Sequence, residues 1–95
     1  MENNQEFRGK KLLVLGGITL ACDIVRHAQA MGVYVVVADY DRNSPAKKIA
    51  DKAVLIDALD VDAIVELCKL ENIDGVTTGF VDILLAPCYE VCKRL

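Results

Sequence analysis

Residues Lys11 to Gly32 read KLLVLGGITLACDIVRHAQAMG, and the pattern changes at a pair of glycines. A short apolar run, Leu12 to Leu15, predicts a buried strand that ends at Gly16-Gly17. After the glycines, apolar residues recur every three to four positions, which is typical of a helix packed back on its strand; they are Leu20, Ala21, Ile24, Val25 and Ala28. The stretch therefore predicts a strand, a glycine turn and a helix in one compact unit.

The boundaries of this first unit follow from its capping residues. We expect the strand to span Lys11 to Leu15 and the helix to run from Thr19 to Met31, with Thr19 as its N-cap. Gly32 then closes the helix in a left-handed conformation, which glycine adopts at little cost. The unpaired N–H groups of the helix start should point into the space beyond the strand.

The next segment repeats the alternation of strand and helix. Val33 to Ala38 reads VYVVVA, which is too short and too β-branched for a helix and predicts a second strand. Asp39-Tyr40-Asp41 follows it. Ser44 and Pro45 are a helix-start pair, with serine as the cap and proline at the first helical position, so we expect a short helix to about Ala50.

The remaining chain predicts two more strands and two more helices. Lys52 to Ile56 is a third, weaker strand, and a helix capped by Asp60 is expected to end at Asn72. Ile73 to Thr77 is the fourth strand. A last helical stripe is expected to start near Asp82 to Leu84, because Pro87 cannot donate a helical hydrogen bond; its apolar members are Val81, Leu84, Leu85, Cys88, Cys92 and Leu95.

Strands that alternate with helices predict parallel βαβ units with right-handed crossovers. The expected fold is α/β, half of a doubly wound Rossmann-like arrangement in three layers, with a four-stranded parallel sheet in the order 3-2-1-4 and helices on both faces. Ligands of such sheets bind beyond the carboxyl ends of the strands, where the strand order reverses. That crevice lies between strands 1 and 4, so the loops Gly16–Leu20 and Thr78–Asp82 are its expected walls.

Composition narrows the classes of protein. The formal net charge of −3 argues against a nucleic-acid-binding surface. The chain has 95 residues, and we expect one domain over residues 11–95 that follows a flexible lead of residues 1–10. No apolar run approaches the ~20 residues that a membrane span requires. The four cysteines lack the spacing of a metal site or a disulfide framework, so we expect reduced, buried thiols and a cytoplasmic location.

The glycine turn by itself also suggests dinucleotide binding, but its spacing does not fit. The fingerprint requires glycine at the first, third and sixth positions, and counting from Gly16 the third and sixth are Ile18 and Ala21. Asp39 stands where a ribose-binding acid would follow the second strand, whereas Asp23 would repel a phosphate at the helix start. Neither His27 nor any acid pair completes a catalytic or metal site, so we expect no catalytic and no metal-binding residue here.

Three pieces of the sequence, taken together, resemble a known family. They are LGGITL, VADYDRNSPAKKIADKAV and IDGVTTGFVDILLAP, in that order from Leu15 onward. The chain is similar to the N-terminal, pre-ATP-grasp domain of ATP-grasp ligases. The closest group is the one similar to the carbamoyl-phosphate synthase large chain and to the carboxylase that acts on phosphoribosylaminoimidazole.

The resemblance implies a substrate-side domain of a carboxylate–amine ligase, inactive alone and a fragment of a longer chain. ATP and magnesium would bind in a following ATP-grasp domain of the same protein, and a small-molecule substrate would contact the loops after strands 1 and 4. A second copy of the protein, in a homodimer, is a further expected partner. The implied substrate-binding residues, with Asp39 added, are Gly16, Gly17, Ile18, Thr19, Leu20, Thr78, Gly79, Phe80, Val81 and Asp82. The alternative is a stand-alone nucleotide- or dinucleotide-binding Rossmann-like domain.

Overall fold

The computed structural model describes residues 8–78 together with Cys92 and Arg94. Its strands are β1 (Lys11–Leu15), β2 (Tyr34–Ala38), β3 (Lys52–Val54) and β4 (Gly75–Thr78). Its helices are α1 (Ala21–Ala30) and α2 (Val61–Glu71), and a 3-10 helix covers Pro45–Lys48. Most of the predicted last helix, apart from Cys92 and Arg94, and most of the predicted lead of residues 1–10 lie outside the described residues.

The strands form a parallel sheet in the order β3-β2-β1-β4, which confirms the predicted topology. β1 occupies the centre, where Leu13 is in register with Val36 of β2 and with Val76 of β4. β3 pairs with β2 from Lys52 to Val54, at one end of the sheet that the described strands form. The chain runs from β1 outward to β3 and then returns to β4 on the other side, so the order reverses between β1 and β4.

Alternate side chains of the strands bury opposite faces of the sheet, and one helix covers each face. Val14, Val35 and Val37 pack with Val25 of α1 on one face. Leu13, Leu15 and Val36 pack with Ile64 of α2 on the other. Each side chain of this kind, fully withdrawn from water, stabilises the fold by roughly 1.5–3 kcal/mol. The predicted three-layer arrangement is confirmed.

The start of α1 differs from the prediction. Leu20, not Thr19, is the N-cap, and no side chain caps the first turn. The preceding turn supplies the hydrogen bonds instead: the N–H of Ala21 donates to the carbonyl of Ile18 at 2.9 Å, and the N–H of Cys22 donates to that of Thr19 at 3.0 Å. A backbone turn has therefore replaced the expected hydroxyl cap.

The other predicted caps are largely confirmed. The Asp60 carboxylate accepts from the N–H of Ala63 at 3.2 Å, and Asn72 ends α2 with φ 58°. Gly32 has φ 87°, as a left-handed residue after α1 requires. Ser44 does precede Pro45 as the cap residue, but its hydroxyl makes no cap hydrogen bond, and the helix is a 3-10 turn that ends at Lys48 rather than Ala50.

Three strands are shorter than predicted: β2 begins at Tyr34 rather than Val33, and β3 and β4 differ more, each for a local reason. β4 begins at Gly75 rather than Ile73, because the N–H of Ile73 donates to the Cys68 carbonyl at 3.0 Å and closes α2. β3 ends at Val54 rather than Ile56, since β2, its neighbour among the described strands, ends at Ala38, which is in register with Val54. No helix among the described residues has the length and apolar character that a membrane span requires.

The cysteines follow the prediction only in part. Cys22 and Cys68 are buried, as expected, and the three free cysteines of the described residues are reduced. Cys92 is exposed, so its predicted burial is wrong. Its sulfur lies 3.9 Å from the Val76 carbonyl of β4. Cys88 lies outside the described residues.

Candidate functional site

The predicted crevice opens where β1 and β4 end side by side. Leu15 is in register with Thr78, so the chain leaves both strands at the same edge of the sheet. The loop Gly16–Leu20 forms one wall. Thr78 is the first residue of the other wall. The remaining residues predicted for that wall lie outside the described residues; they are Gly79, Phe80, Val81 and Asp82.

Gly16 turns the chain out of the sheet. Its φ of 87° is a left-handed value that side-chain-bearing residues rarely adopt. Its N–H donates to the Ala38 carbonyl at 2.8 Å, which ties the turn to the end of β2. The first residue of the loop therefore serves the backbone geometry.

Asp39 holds the same turn from the side. Its carboxylate accepts from the N–H of Gly17 at 2.6 Å and from the N–H of Asp41 at 3.0 Å, and the residue is 8% exposed. A carboxylate with two backbone donors satisfies its charge within the protein. The sequence placed Asp39 correctly at the end of β2, yet both of its oxygens face the chain rather than an open site.

Ser44 closes the back of the turn, a role that sequence reasoning missed. A Cβ added to Gly17 would lie 2.4 Å from the Ser44 Oγ and 3.0 Å from its Cβ, so only glycine fits. The N–H of Ala46 donates to the Gly17 carbonyl at 2.9 Å. The Ser44 hydroxyl is buried and has no hydrogen-bond partner within the part of the chain that the structure describes. The motif Asn43-Ser44-Pro45 was a signal for a helix start, but not for this contact.

The front of the loop is open. Ile18, Thr19 and Leu20 are exposed, with Ile18 at 40% and Leu20 at 53%. Among residues 8–78, no hydrogen-bond acceptor meets the backbone N–H of any of these three residues. Unpaired N–H groups ahead of a helix are suited to bind a carboxylate or phosphate oxygen. They are the available donors of the crevice.

Thr78 is less available than the sequence suggested. Its hydroxyl donates to the Leu15 carbonyl at 3.0 Å, across the two strands that border the crevice. The oxygen can still accept a hydrogen bond, but its proton is engaged. Thr78 therefore fixes the spacing of the walls as well as lining one of them.

The turn does not fit the phosphates of ATP. A phosphate-gripping turn offers its glycine N–H groups and a lysine to the ligand. Here the N–H of Gly17 donates to Asp39 and those of Ala21 and Cys22 donate to the preceding turn. Asp23, in the first turn of α1, adds a negative charge that its ion pair with Arg26 at 3.9 Å offsets only weakly.

The resolved pKa shifts lie away from the crevice. A hydrogen bond from Lys52 lowers the pKa of Glu71, and the same bond raises the pKa of Lys52. Both residues, with Lys11 at 3.9 Å from Glu71, lie at the amino end of the sheet. Burial raises the pKa of the Cys68 thiol to about 11, with a smaller contribution from Cys92. The resolved shifts thus concern the amino end of the sheet and the buried thiol of Cys68.

Comparison with known proteins places this geometry in a family context. A family model described as the ribonucleotide synthetase preATP-grasp domain matches residues 9–94. The formate-dependent phosphoribosylglycinamide formyltransferase of Sulfurisphaera tokodaii is 41% identical over 69 residues, which are 73% of this chain and 17% of that protein. The corresponding enzyme of Bacillus subtilis is 34% identical over 68 residues, or 72% and 18%. The chain therefore spans less than a fifth of the length of these relatives.

Solved structures give the same picture. N5-carboxyaminoimidazole ribonucleotide synthetase from Thermotoga maritima superposes with a TM-score of 0.66 at 32% identity, over 75% of this chain and 19% of that one. Phosphoribosylglycinamide synthetase from Anaerococcus prevotii has a TM-score of 0.77 over 90% of this chain and 22% of that one. Because its identity is 22%, that second likeness concerns the fold alone.

Proposed function

Because the chain belongs to the ribonucleotide synthetase preATP-grasp domain family, we propose that it is the substrate-side N-terminal domain of an ATP-grasp ligase. The ligase would join a carboxylate to an amine through an acyl phosphate, and this domain would be inactive alone. ATP and magnesium would bind in a following ATP-grasp domain. The observation that carries the proposal is the open loop Ile18–Leu20 at the point where the strand order reverses.

The substrate class follows from the donors of the crevice. Ile18, Thr19 and Leu20 present backbone N–H groups, which favour an anionic group over a cationic one. The relatives described above are named for phosphoribosyl compounds, so a ribonucleotide that carries an amine is the substrate we propose. The likeness to the carbamoyl-phosphate synthase large chain is a coarser relation, and we propose it only at the level of ATP-grasp ligases.

The assignment of the other predicted residues is part of the same proposal. Gly16, Gly17 and Asp39 would act by shaping the loop, since their polar groups are already engaged within the chain. Thr78 would line the opposite wall. We retain residues 79–82 as members of that wall. A homodimer and a cytoplasmic location remain predictions, which sedimentation and fractionation can test.

One substitution removes a backbone donor of the loop at a position that suits proline. Thr19 is the second residue of the turn that the N–H of Ala21 closes on the Ile18 carbonyl, a position that favours proline, and the N–H of Thr19 has no acceptor within residues 8–78. Thr19→Pro therefore removes one donor at the mouth of the crevice and is compatible with the turn. Thr19→Ala is the matched control, because it shortens the same side chain and keeps the N–H.

The test is an NMR titration of the isotope-labelled 95-residue chain with phosphoribosylglycinamide and, separately, with Mg-ATP. We expect the ribonucleotide to shift the amide signals of Ile18, Thr19, Leu20 and Thr78, and Mg-ATP to leave them in place. Thr19→Pro should weaken the binding of the ribonucleotide by about tenfold, the value of one charge-assisted hydrogen bond, and Thr19→Ala should weaken it by much less. Shifts caused by Mg-ATP at these residues, or none by the ribonucleotide, would contradict the proposal.

A further inference from the structure

We propose a second ligand site on this domain, a cleft at the outer edge of the sheet that binds a phosphomonoester with a small apolar body. The cleft has a volume of about 250 Å³. Its lining residues come from the loop after β2, the 3-10 helix and the end of β3; they are Arg42, Lys47, Ala53, Val54 and Leu55. Two cationic side chains thus face an apolar floor in one open cleft.

Arg42 is the first cation of this edge cleft, and its guanidinium is not paired with a carboxylate among the described residues. The residue is exposed, and no hydrogen bond or ion pair engages it within the described part of the chain. Arg26 of α1, by contrast, lies 3.9 Å from Asp23. A guanidinium offers five N–H donors in a planar fork that matches two phosphate oxygens. Arg42 is therefore available to an anion.

Lys47 is the second cation, and it is already positioned. Its Nζ donates to the main-chain carbonyl of Asp39 at 2.7 Å, which holds the half-buried side chain against the loop. An ammonium has three donors, so two remain for a ligand. Since a carbonyl carries no net charge, this hydrogen bond orients Lys47 without neutralising it.

The nearby acids keep their negative charges but form no ion pair with these two cations. Both Asp39 oxygens accept from backbone N–H groups, at 2.6 Å from Gly17 and 3.0 Å from Asp41. The Asp41 carboxylate accepts from the N–H of Asn43 at 2.9 Å. Asp51, which immediately precedes β3, accepts from the N–H of Val35 at 2.8 Å. Each carboxylate is thus held at a turn or strand end, and none of them is paired with Arg42 or Lys47 within the described part of the chain.

Two cations and an apolar floor together indicate the chemical class of the ligand. A phosphomonoester carries close to two negative charges at neutral pH, which matches Arg42 and Lys47 better than a single carboxylate does. Leu55 is 55% exposed beside them, an apolar surface that the described residues leave uncovered. A phosphate attached to a small ring would meet both features at once.

This edge cleft is separate from the crevice. β3 lies two strands away from β1, or roughly 10 Å at the usual strand spacing, on the side opposite β4. The segment that carries Arg42 and Lys47 also packs against Gly17 through Ser44, so unshifted amide signals of Ile18–Leu20 distinguish a ligand in the edge cleft from one in the crevice. The inference does not depend on the proposed function, and either can fail without the other.

Phenyl phosphate is a suitable probe for the edge cleft, with inorganic phosphate and benzoate as comparison ligands. We expect phenyl phosphate to shift the amide signals of residues 40–48 and 53–55 of the 95-residue chain in a saturable manner. Inorganic phosphate should bind more weakly because it lacks the ring, and benzoate because it has one charge. Added sodium chloride should weaken the binding of all three ligands, because salt screens the attraction between opposite charges. Benzoate binding as tightly as phenyl phosphate would overturn the phosphate assignment.

The decisive variant is Arg42→Gln, with Arg26→Gln as its control. Both remove one exposed arginine and change the net charge equally, and Arg42 has no partner among the described residues whose loss would unfold the domain. We expect Arg42→Gln to weaken the binding of phenyl phosphate by about tenfold, the effect of one charge-assisted contact, without changing the melting temperature of the domain. Arg26→Gln should leave the affinity within about twofold. Equal effects of the two variants, or no saturable binding to the wild-type chain, would refute the site.

Discussion

Gly17→Ala should destabilise the domain because of one atom in the loop after β2. The new Cβ would lie 2.4 Å from the Ser44 Oγ, 3.0 Å from its Cβ and 3.3 Å from the Val37 Cγ1. Gly17 is not among the residues with positive φ, so the cost is steric rather than conformational. Overpacking of this kind costs roughly 1–3 kcal/mol, and we expect about 2 kcal/mol for Gly17→Ala.

Ser44→Ala tests the origin of that cost. It removes the Oγ, which is buried and lacks a hydrogen-bond partner among the described residues, so the single variant should be neutral or stabilising. In the double variant the nearest remaining atom is the Cβ of residue 44, at 3.0 Å from the new methyl group. We therefore expect the double variant to lose about 1 kcal/mol less unfolding free energy than Gly17→Ala does. That difference is the coupling energy between the two residues in contact.

Urea unfolding followed by circular dichroism measures all of these differences. Gly75→Ala is the control, because its Cβ would meet only the Leu12 Cδ1, at an ordinary 3.7 Å. A change of about 1 kcal/mol should move the melting temperature by about 4–8 °C in a domain of this size. The reasoning fails if Gly17→Ala costs no more than Gly75→Ala, or if Ser44→Ala leaves the cost of Gly17→Ala unchanged.

Two further predictions concern the amino end of the sheet and the thiols. The hydrogen bond from Lys52 lowers the pKa of Glu71, so the bond stabilises the fold above the ordinary carboxyl value of 4.5 and is lost as the pH falls through the lowered value. Glu71→Gln should thus destabilise the fold at neutral pH and change its stability little in acid, which urea titrations at several pH values can measure. A loss of stability that does not depend on pH would contradict this, as would an equal loss caused by substitution of the exposed Glu66 in Glu66→Gln. For the thiols, site-resolved alkylation in mildly alkaline buffer should modify exposed Cys92 quickly and buried Cys68 slowly, since burial raises the Cys68 pKa to about 11; equal rates in the folded chain would be inconsistent with the packing.

Local patterns in the sequence were sufficient for the fold. β-branched runs, glycine and asparagine stops, and apolar positions three to four apart predicted β1, β2, α1 and α2 within a few residues. The strand order followed from the alternation of strands and helices, because right-handed crossovers leave few arrangements. The crevice between β1 and β4 followed in turn from that order.

Tertiary contacts decided which groups in the crevice are available. Asp39, 22 positions from Gly17 in the chain, takes the N–H that a turn of this kind would otherwise offer to a ligand. Ser44 comes close enough to Gly17 to require glycine there, and Thr78 donates its proton to Leu15 across 63 positions. Periodicity reports which face of an element is buried, but a hydrogen bond between distant residues depends on how the elements pack. The sequence alone therefore predicted where the crevice lies, because strand order follows from local patterns, and only the packed structure decided that open backbone donors of its first wall belong to Ile18, Thr19 and Leu20.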